Sequence, residues 1–348
     1  MSDPHTEARV REAVGRATGH DASRAPVRRL AGHASMRSYW RVGVPPASHV
    51  VMVLPPDARP EEVTKGGAPG VNPFVDVQRY LAGIGVRVPA IRAFLEAEGL
   101  MVLEDLGDEM LETRLLAGDA RAPLYERAID QLARLRARAE AAPAGCVAFS
   151  RSFDAELYRW ELEHFVEWGL EAWKGARLSP AERAVADRDF DRIARSLEAE
   201  PKGFTHRDYQ SRNLMVLPSG EQAVIDFQDA LLGPALYDLA SLCTDRDSDR
   251  FVDAALEASL LRRFGEQLAR RGGPAYADQD ALRADYFDAV AYRTLRVIGR
   301  FRFLAIEKGK PAYLRFLPRM ARQTRRALLA NGNDQLLALL AARCASFA

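Results

Sequence analysis

The segment His206-Arg207-Asp208-Tyr209-Gln210-Ser211-Arg212-Asn213-Leu214, followed by Asp226-Phe227-Gln228-Asp229, holds the residue types that phosphoryl transfer requires. A carboxylate must orient an attacking hydroxyl and take its proton. An amide oxygen and a second carboxylate must hold Mg²⁺ on the phosphates of a nucleotide. Asp208 follows a short apolar run, Asn213 precedes one, and Asp226 closes another. The runs Leu214 to Leu217 and Ala223 to Phe227 are joined by Pro218-Ser219-Gly220-Glu221, which predicts a β-hairpin. Such a hairpin returns Asp226 to the side of Asn213, although the two are thirteen positions apart. Taken singly, the same residues are turn formers and a strand cap. Their combination with the hairpin favours the chemical reading.

Two kinds of sequence flank this core. From Ser35 to Val42 apolar and polar residues alternate, and His49 to Leu54 is a second apolar run beyond Pro45-Pro46, which suggests antiparallel strands. Asp57 to Pro73 is rich in Gly and Pro and reads as a loop; a helix over Pro73 to Gly83 follows. Val86 to Val88, Ile91 to Leu95 and Leu100 to Leu103 complete an expected five strands. Past Glu104 the period becomes helical. Leu124, Ala128, Ile129, Leu132 and Leu135 share one helix face, and Phe153, Leu157, Trp160, Phe165 and Trp168 mark another helix. Ser179-Pro180-Ala181-Glu182 is a capping box opening a helix toward Glu200, and the chain from Asp249 onward is helical in pattern. The expectation is an α+β fold of two lobes: a small β-rich N-lobe over 1–104, a crossover at 103–107, and a larger helical C-lobe over 108–348 with an embedded β-hairpin.

Composition narrows the partners. Of 348 residues, 49 are basic and 48 acidic, leaving a formal charge of +1, so no basic excess argues for nucleic acid. Three cysteines without a CxxC pair argue against a disulfide framework or a zinc site and for a reducing compartment. The N-terminal stretch lacks a signal-peptide core, and no apolar run approaches a membrane span. A cytoplasmic enzyme without a membrane, nucleic-acid or obligate protein partner is expected.

The chain resembles the aminoglycoside phosphotransferase/choline kinase superfamily, whose members share a protein-kinase-like fold. Within it the likeness is to bacterial anomeric kinases of N-acetylmuramate and N-acetylglucosamine. It rests on Ala34 to Arg41, Val51 to Pro56, Leu103-Glu104-Asp105-Leu106-Gly107, His206 to Met215, Val224 to Ala230 with Gly233-Pro234, and Tyr237-Asp238. Arg296-Val297-Ile298-Gly299, Gly309-Lys310-Pro311 and Tyr313-Leu314 are the stretches most particular to the sugar kinases. The resemblance implies that Asp208 is the catalytic base and that Asn213 and Asp226 are ligands of Mg²⁺, with ATP as co-substrate. It implies nucleotide contacts from Ala34, Ser35, Met36 and Arg37 over the phosphates, and from Met101, Glu104 and Leu106 at the adenine hinge. It also implies a role in cell-wall sugar salvage (peptidoglycan recycling), in which the sugar 1-phosphate feeds a nucleotidyltransferase.

One departure stands out. Kinases place a lysine on the strand after the phosphate loop and pair it with a helix glutamate. Here that strand reads Val50-Val51-Met52-Val53, and Phe74 to Tyr80 offers no glutamate. Arg37 or Arg41 is the expected replacement cation. Arg212, Asp229, Glu163 and Trp168 are the candidates for the acceptor site, while His206 is expected to lock its own loop and Asp238 to anchor it. Polycation pockets are normally lined with carboxylates, and the arginine-rich stretch from Arg293 to Arg326 favours a neutral or anionic sugar instead. The alternatives are an aminoglycoside or other small-alcohol phosphotransferase of the same fold, and a nucleotide-binding pseudokinase regulator.

Overall fold

The computed structural model describes residues 3–30, 37–55, 71–273, 276 and 278–347. Ala34, Ser35 and Met36, and most of the glycine- and proline-rich stretch read as a loop, lie outside them. The first elements are α1 (Pro4–Thr18), β1 (Val27–Arg29), β2 (Ser38–Val44), β3 (Ala47–Val53), α2 (Pro73–Gly83), β4 (Ile91–Leu95) and β5 (Leu100–Glu104). The five strands form one sheet in the order β1-β2-β3-β5-β4, antiparallel throughout. Period-two alternation gives this sheet two unlike faces. Trp40, Val42, Val51, Leu100 and Val102 point to one side, where Val10, Ala13 and Val14 of α1 cover them. Met52, Met101 and Leu103 point to the other and join the main core with Phe74, Val77 and Leu81 of α2.

Two expectations change here. The fifth strand is β1 rather than Val86 to Val88, whose valines are buried without a ladder. The N-terminal stretch forms α1, started by Asp3, whose carboxylate accepts from the His5 N–H, with Pro4 in the first turn. Its polar majority hides a stripe of only three buried residues, so periodicity alone gave little signal.

The helical part contains α3 (Leu111–Leu116), α4 (Arg121–Ala141), α5 (Ala155–His164), α6 (Ala172–Lys174) and α7 (Pro180–Ala199), with a π-helical stretch Phe165–Glu171 between α5 and α6. The capping box of α7 is present in full. Next come β6 (Lys202–Thr205), β7 (Leu214–Val216), β8 (Gln222–Val224) and β9 (Leu231–Pro234). Strands β7 and β8 form the expected hairpin, whereas β6 pairs with β9, which sequence periodicity did not reveal. Helices α8 (Ala235–Cys243), α9 (Ala254–Ala269), α10 (Gln279–Ile306), α11 (Leu317–Ala330) and α12 (Asp334–Arg343) finish the chain. No helix among the described residues is long and apolar enough to cross a membrane.

The two parts meet through specific contacts. The Val224 N–H donates to the Arg87 carbonyl (2.8 Å), and Phe227, next to Asp226, packs on Phe74 of α2 with ring centroids 4.9 Å apart. Between sheet and hairpin lies a cleft of about 820 Å³.

Candidate active site

The floor of the cleft is the loop from His206 to Asn213 and the end of the β7–β8 hairpin. Asp238 of α8 fastens this loop: its two carboxylate oxygens accept the His206 N–H (2.7 Å) and the Arg207 N–H (3.0 Å). Arg207 takes a left-handed backbone, φ 72°, which aims both N–H groups at Asp238. The His206 ring bridges the loop to the hairpin. Its Nδ1 accepts the Asp208 N–H (3.3 Å) and its Nε2–H donates to the Ile225 carbonyl (3.0 Å). The expected locking role of His206 and anchoring role of Asp238 match these contacts.

Asn213 and Asp226 meet as the hairpin demands. The Asn213 amide nitrogen donates to the Asp208 carbonyl (2.8 Å) and lies 3.5 Å from Asp226 Oδ2, which leaves the amide oxygen for another partner. Asp226 is the second non-glycine residue with a left-handed backbone, φ 64°, and its carboxylate faces the cleft. Two glutamines that sequence reasoning passed over hold the carboxylates in place. The Gln210 amide donates to Asp208 Oδ1 (3.0 Å), and the Gln228 amide donates to Asp226 Oδ1 (3.0 Å) and Asp229 Oδ2 (3.2 Å). Gln210 and Gln228 each stand two residues after the site aspartate they grip, Asp208 and Asp226, which was the available signal.

The two aspartates titrate in opposite directions. Burial raises the Asp208 carboxyl, but the nearby positive charges of Arg296 and Arg207 outweigh it and hold it below the ordinary carboxylate value. Burial raises Asp226, and the Asp208 charge raises it further. A dication between Asn213 and Asp226 would remove that penalty. Among the described residues no three His, Cys, Asp or Glu side chains cluster to hold a metal. The pair nevertheless suits Mg²⁺, which is commonly held by one or two protein oxygens with phosphates and waters completing its shell.

The roof is the cleft-facing side of the sheet. Tyr39, Val50 and Arg37 line it, and among the described residues no lysine does. Burial raises the Tyr39 hydroxyl pKa; the Arg37 charge opposes this, whereas Asp226 adds to it, so Tyr39 lies within the fields of both. Arg41, the other candidate cation, is fully engaged elsewhere. It donates to both Asp105 oxygens (2.6 and 2.8 Å), to Asp108 (2.6 Å) and to the Gly107 carbonyl (3.0 Å), bracing the crossover. Glu104 pairs with Arg87 (2.5 and 2.8 Å), while Leu106 makes no backbone hydrogen bond among the described residues and borders the cleft. Met101 is buried in β5 and does not border the cleft.

Of the acceptor candidates, Arg212 and Asp229 line the cleft, with Arg212 paired to Glu112 of α3 (2.6 Å). Glu163 and Trp168 stand outside the lining. Glu163 pairs with Arg159 (3.1 Å) and Arg183, and Trp168 packs edge-on against Phe303. Glu161, two residues before Glu163 on α5, is buried outside the lining and accepts Arg207 (2.9 Å), Arg296 (2.8 Å) and the Tyr292 hydroxyl, holding two arginines near the cleft.

Residues 26–278 match the phosphotransferase enzyme family. The chain is 32% identical over 321 residues to the N-acetylmuramate/N-acetylglucosamine kinase of Caulobacter vibrioides, covering 87% of this chain and 84% of that protein. It is 36% identical over 290 residues to the protein of the same name from Pseudomonas aeruginosa, covering 83% and 80%. Among solved structures, a choline/ethanolamine kinase family protein from Mesorhizobium loti superposes with TM-score 0.59 at 16% identity, covering 95% and 98% of the two chains. Spectinomycin phosphotransferase superposes with TM-score 0.61 at 12% identity, covering 94% and 98%. Those likenesses establish the two-lobed, protein-kinase-like fold.

Proposed function

The chain belongs to the phosphotransferase enzyme family, and we propose that it transfers the γ-phosphoryl group of ATP to the anomeric C1 hydroxyl of N-acetylmuramate and N-acetylglucosamine. The observation that supports this most directly is the convergence of Asp208, Asn213 and Asp226 on one cleft floor, in a chain similar to amino-sugar kinases over most of its length.

Asp208 is the acceptor-orienting base. Its lowered pKa keeps it ionised near neutrality, so it receives a hydrogen bond from the C1 hydroxyl. An anomeric hydroxyl is more acidic than an ordinary alcohol, and Asp208 takes its proton late. The sugar O1–P bond forms, the bond from phosphorus to the β–γ bridging oxygen breaks, and ADP leaves with that electron pair. Asn213 and Asp226 would hold Mg²⁺, which when bound neutralises phosphate charge and aligns the γ-phosphoryl group. Gln210 and Gln228 keep the Asp208 and Asp226 carboxylates from swinging. Arg37 supplies the roof cation in the absence of a strand lysine, since Arg41 is tied to Asp105. Leu106 offers free backbone groups to adenine.

ADP release with ATP–Mg²⁺ tests this proposal on N-acetylmuramate, N-acetylglucosamine, galactose and kanamycin. Turnover on the two N-acetyl sugars is expected. Turnover on kanamycin alone would reassign the enzyme to antibiotic modification. ATP binding without turnover on any acceptor would favour the regulator that the missing lysine leaves open.

A further inference from the structure

The helical side of the cleft is lined by arginines, and their partners differ. Arg296 donates to Glu161 (2.8 Å) and to the Tyr237 hydroxyl (3.2 Å), and Arg212 is paired with Glu112. Arg293 is buried and donates only to neutral groups, the Thr244 carbonyl (2.7 Å) and hydroxyl (3.0 Å). Arg246, two residues beyond Thr244, is the odd one. Its guanidinium makes no hydrogen bond and meets no carboxylate within 4 Å among the described residues. Instead it lies over three aromatic rings: Tyr313 at 5.4 Å, Phe301 at 5.5 Å and Phe316 at 5.8 Å. The neighbouring Asp245 carboxylate is taken up by backbone and hydroxyl groups: Oδ2 accepts the Ser211 N–H (3.2 Å) and hydroxyl (2.6 Å), and Oδ1 accepts the Arg246 main-chain N–H (2.5 Å), not its guanidinium.

A half-buried cation without a counter-ion is unfavourable unless something else supplies the negative charge. Burial, then the like charge of Arg212, lowers the Arg246 pKa, and the charges of Asp245 and Asp208 offset this only in part. The aromatic faces fix the plane of the guanidinium and leave its fork unspent, the arrangement that recognises a carboxylate with two parallel hydrogen bonds. Arg246 also lies within the field of Asp208 and lines the same cleft, so it stands on the side where the acceptor would meet the base. Its support comes from α10 and the segment before α11, elements of the helical part and not of the sheet or the Glu104–Leu106 crossover.

We propose that Arg246, seated on Phe301, Tyr313 and Phe316 and backed by Arg293, is a carboxylate subsite of the acceptor site. It distinguishes an amino sugar that carries a carboxylate from its neutral counterpart. This rests on the amino-sugar reading above.

The test compares N-acetylmuramate, its methyl ester and N-acetylglucosamine in the wild-type protein and in Arg246→Met and Arg246→Lys. In the wild type the ester has a KM roughly tenfold or more above that of the acid. In Arg246→Met that acid–ester gap closes, and the ratio of the KM for N-acetylmuramate to that for N-acetylglucosamine rises about tenfold, without a matching rise in the KM for ATP. Arg246→Lys restores part of the gap. Equal KM values for acid and ester in the wild type would overturn the proposal, and that result does not depend on any variant folding. A rise confined to the KM for ATP would overturn it too, by assigning the cation to a nucleotide phosphate. Turnover of N-acetylglucosamine with an unchanged sugar ratio removes only this inference. No turnover of either sugar removes the amino-sugar reading and this one with it.

Discussion

On the floor of the cleft, Asp208, Asn213 and Asp226 sit on backbone fastened at each step by Asp238, by the His206 ring and by the hairpin. The roof above them presents Tyr39 and Val50, with Arg37 at its margin. On the floor, two left-handed residues and two glutamine clamps over-determine where each carboxylate points. On the roof, the best-anchored cation, Arg41, is committed to the crossover and does not line the cleft. The difference teaches where precision is needed. In the proposed reaction a base and metal ligands need placing to a fraction of an ångström, whereas charge against a polyphosphate is less demanding of exact position.

Asp208→Asn probes the floor with the largest expected effect. Loss of the proton acceptor should lower kcat by roughly 10²- to 10⁴-fold while ATP binding persists. A variant retaining most of its kcat would break the comparison by removing the floor from the chemistry. Asn213→Ala comes next. The Mg²⁺ concentration for half-maximal rate should rise about ten- to a hundredfold, measured by titration at fixed ATP.

The roof separates two arginines by their readouts. Arg41→Met leaves the buried Asp105 without its partner and should cost on the order of 3 kcal/mol of stability, seen in denaturant unfolding. Arg37→Met should raise the KM for ATP severalfold and cost less stability than Arg41→Met. The reverse pattern would mean that the roles are exchanged.

A smaller effect lies beneath the floor, at Glu200 just before β6. Its burial, with Asp285 nearby, raises its pKa to about 8, and one of its oxygens has no partner. The folded protein therefore holds this proton more tightly than the unfolded chain, whose value is near the ordinary 4.5. The stabilising contribution is complete below about pH 4.5, fades as pH rises and is lost above about pH 8. Glu200→Gln should flatten the fall in melting temperature between pH 5 and 8.5; an unchanged profile would show that Glu200 is not its source.

The floor was legible in the sequence because its parts are close together: a nine-residue motif, a turn of four residues and an aspartate at the hairpin's end. The β6–β9 pairing was not, since Leu231–Pro234 carries no alternation and its partners lie far upstream, Thr205 twenty-six positions before Leu231 and Lys202 thirty-two before Pro234. Val86 and Val88 looked like a strand because burial without a ladder leaves the same apolar imprint. Glu163 and Trp168 were placed on the right helical segment but the wrong side of it. The π-helical stretch from Phe165 to Glu171 departs from the 3.6-residue period on which such a placement relies. The arginine wall was visible only as abundance, because Arg293 reaches Thr244, two residues before Arg246, only after the chain has folded, and the two then line one cleft.

The most direct test of the central claim is the position of the new phosphate. Wild-type protein with ATP–Mg²⁺ and N-acetylglucosamine labelled with ¹³C at C1 should yield a product whose phosphorus resonance couples to that carbon. Phosphorus bonded through the C6 oxygen, or no phosphorylated sugar while N-acetylmuramate is also left intact, would contradict it.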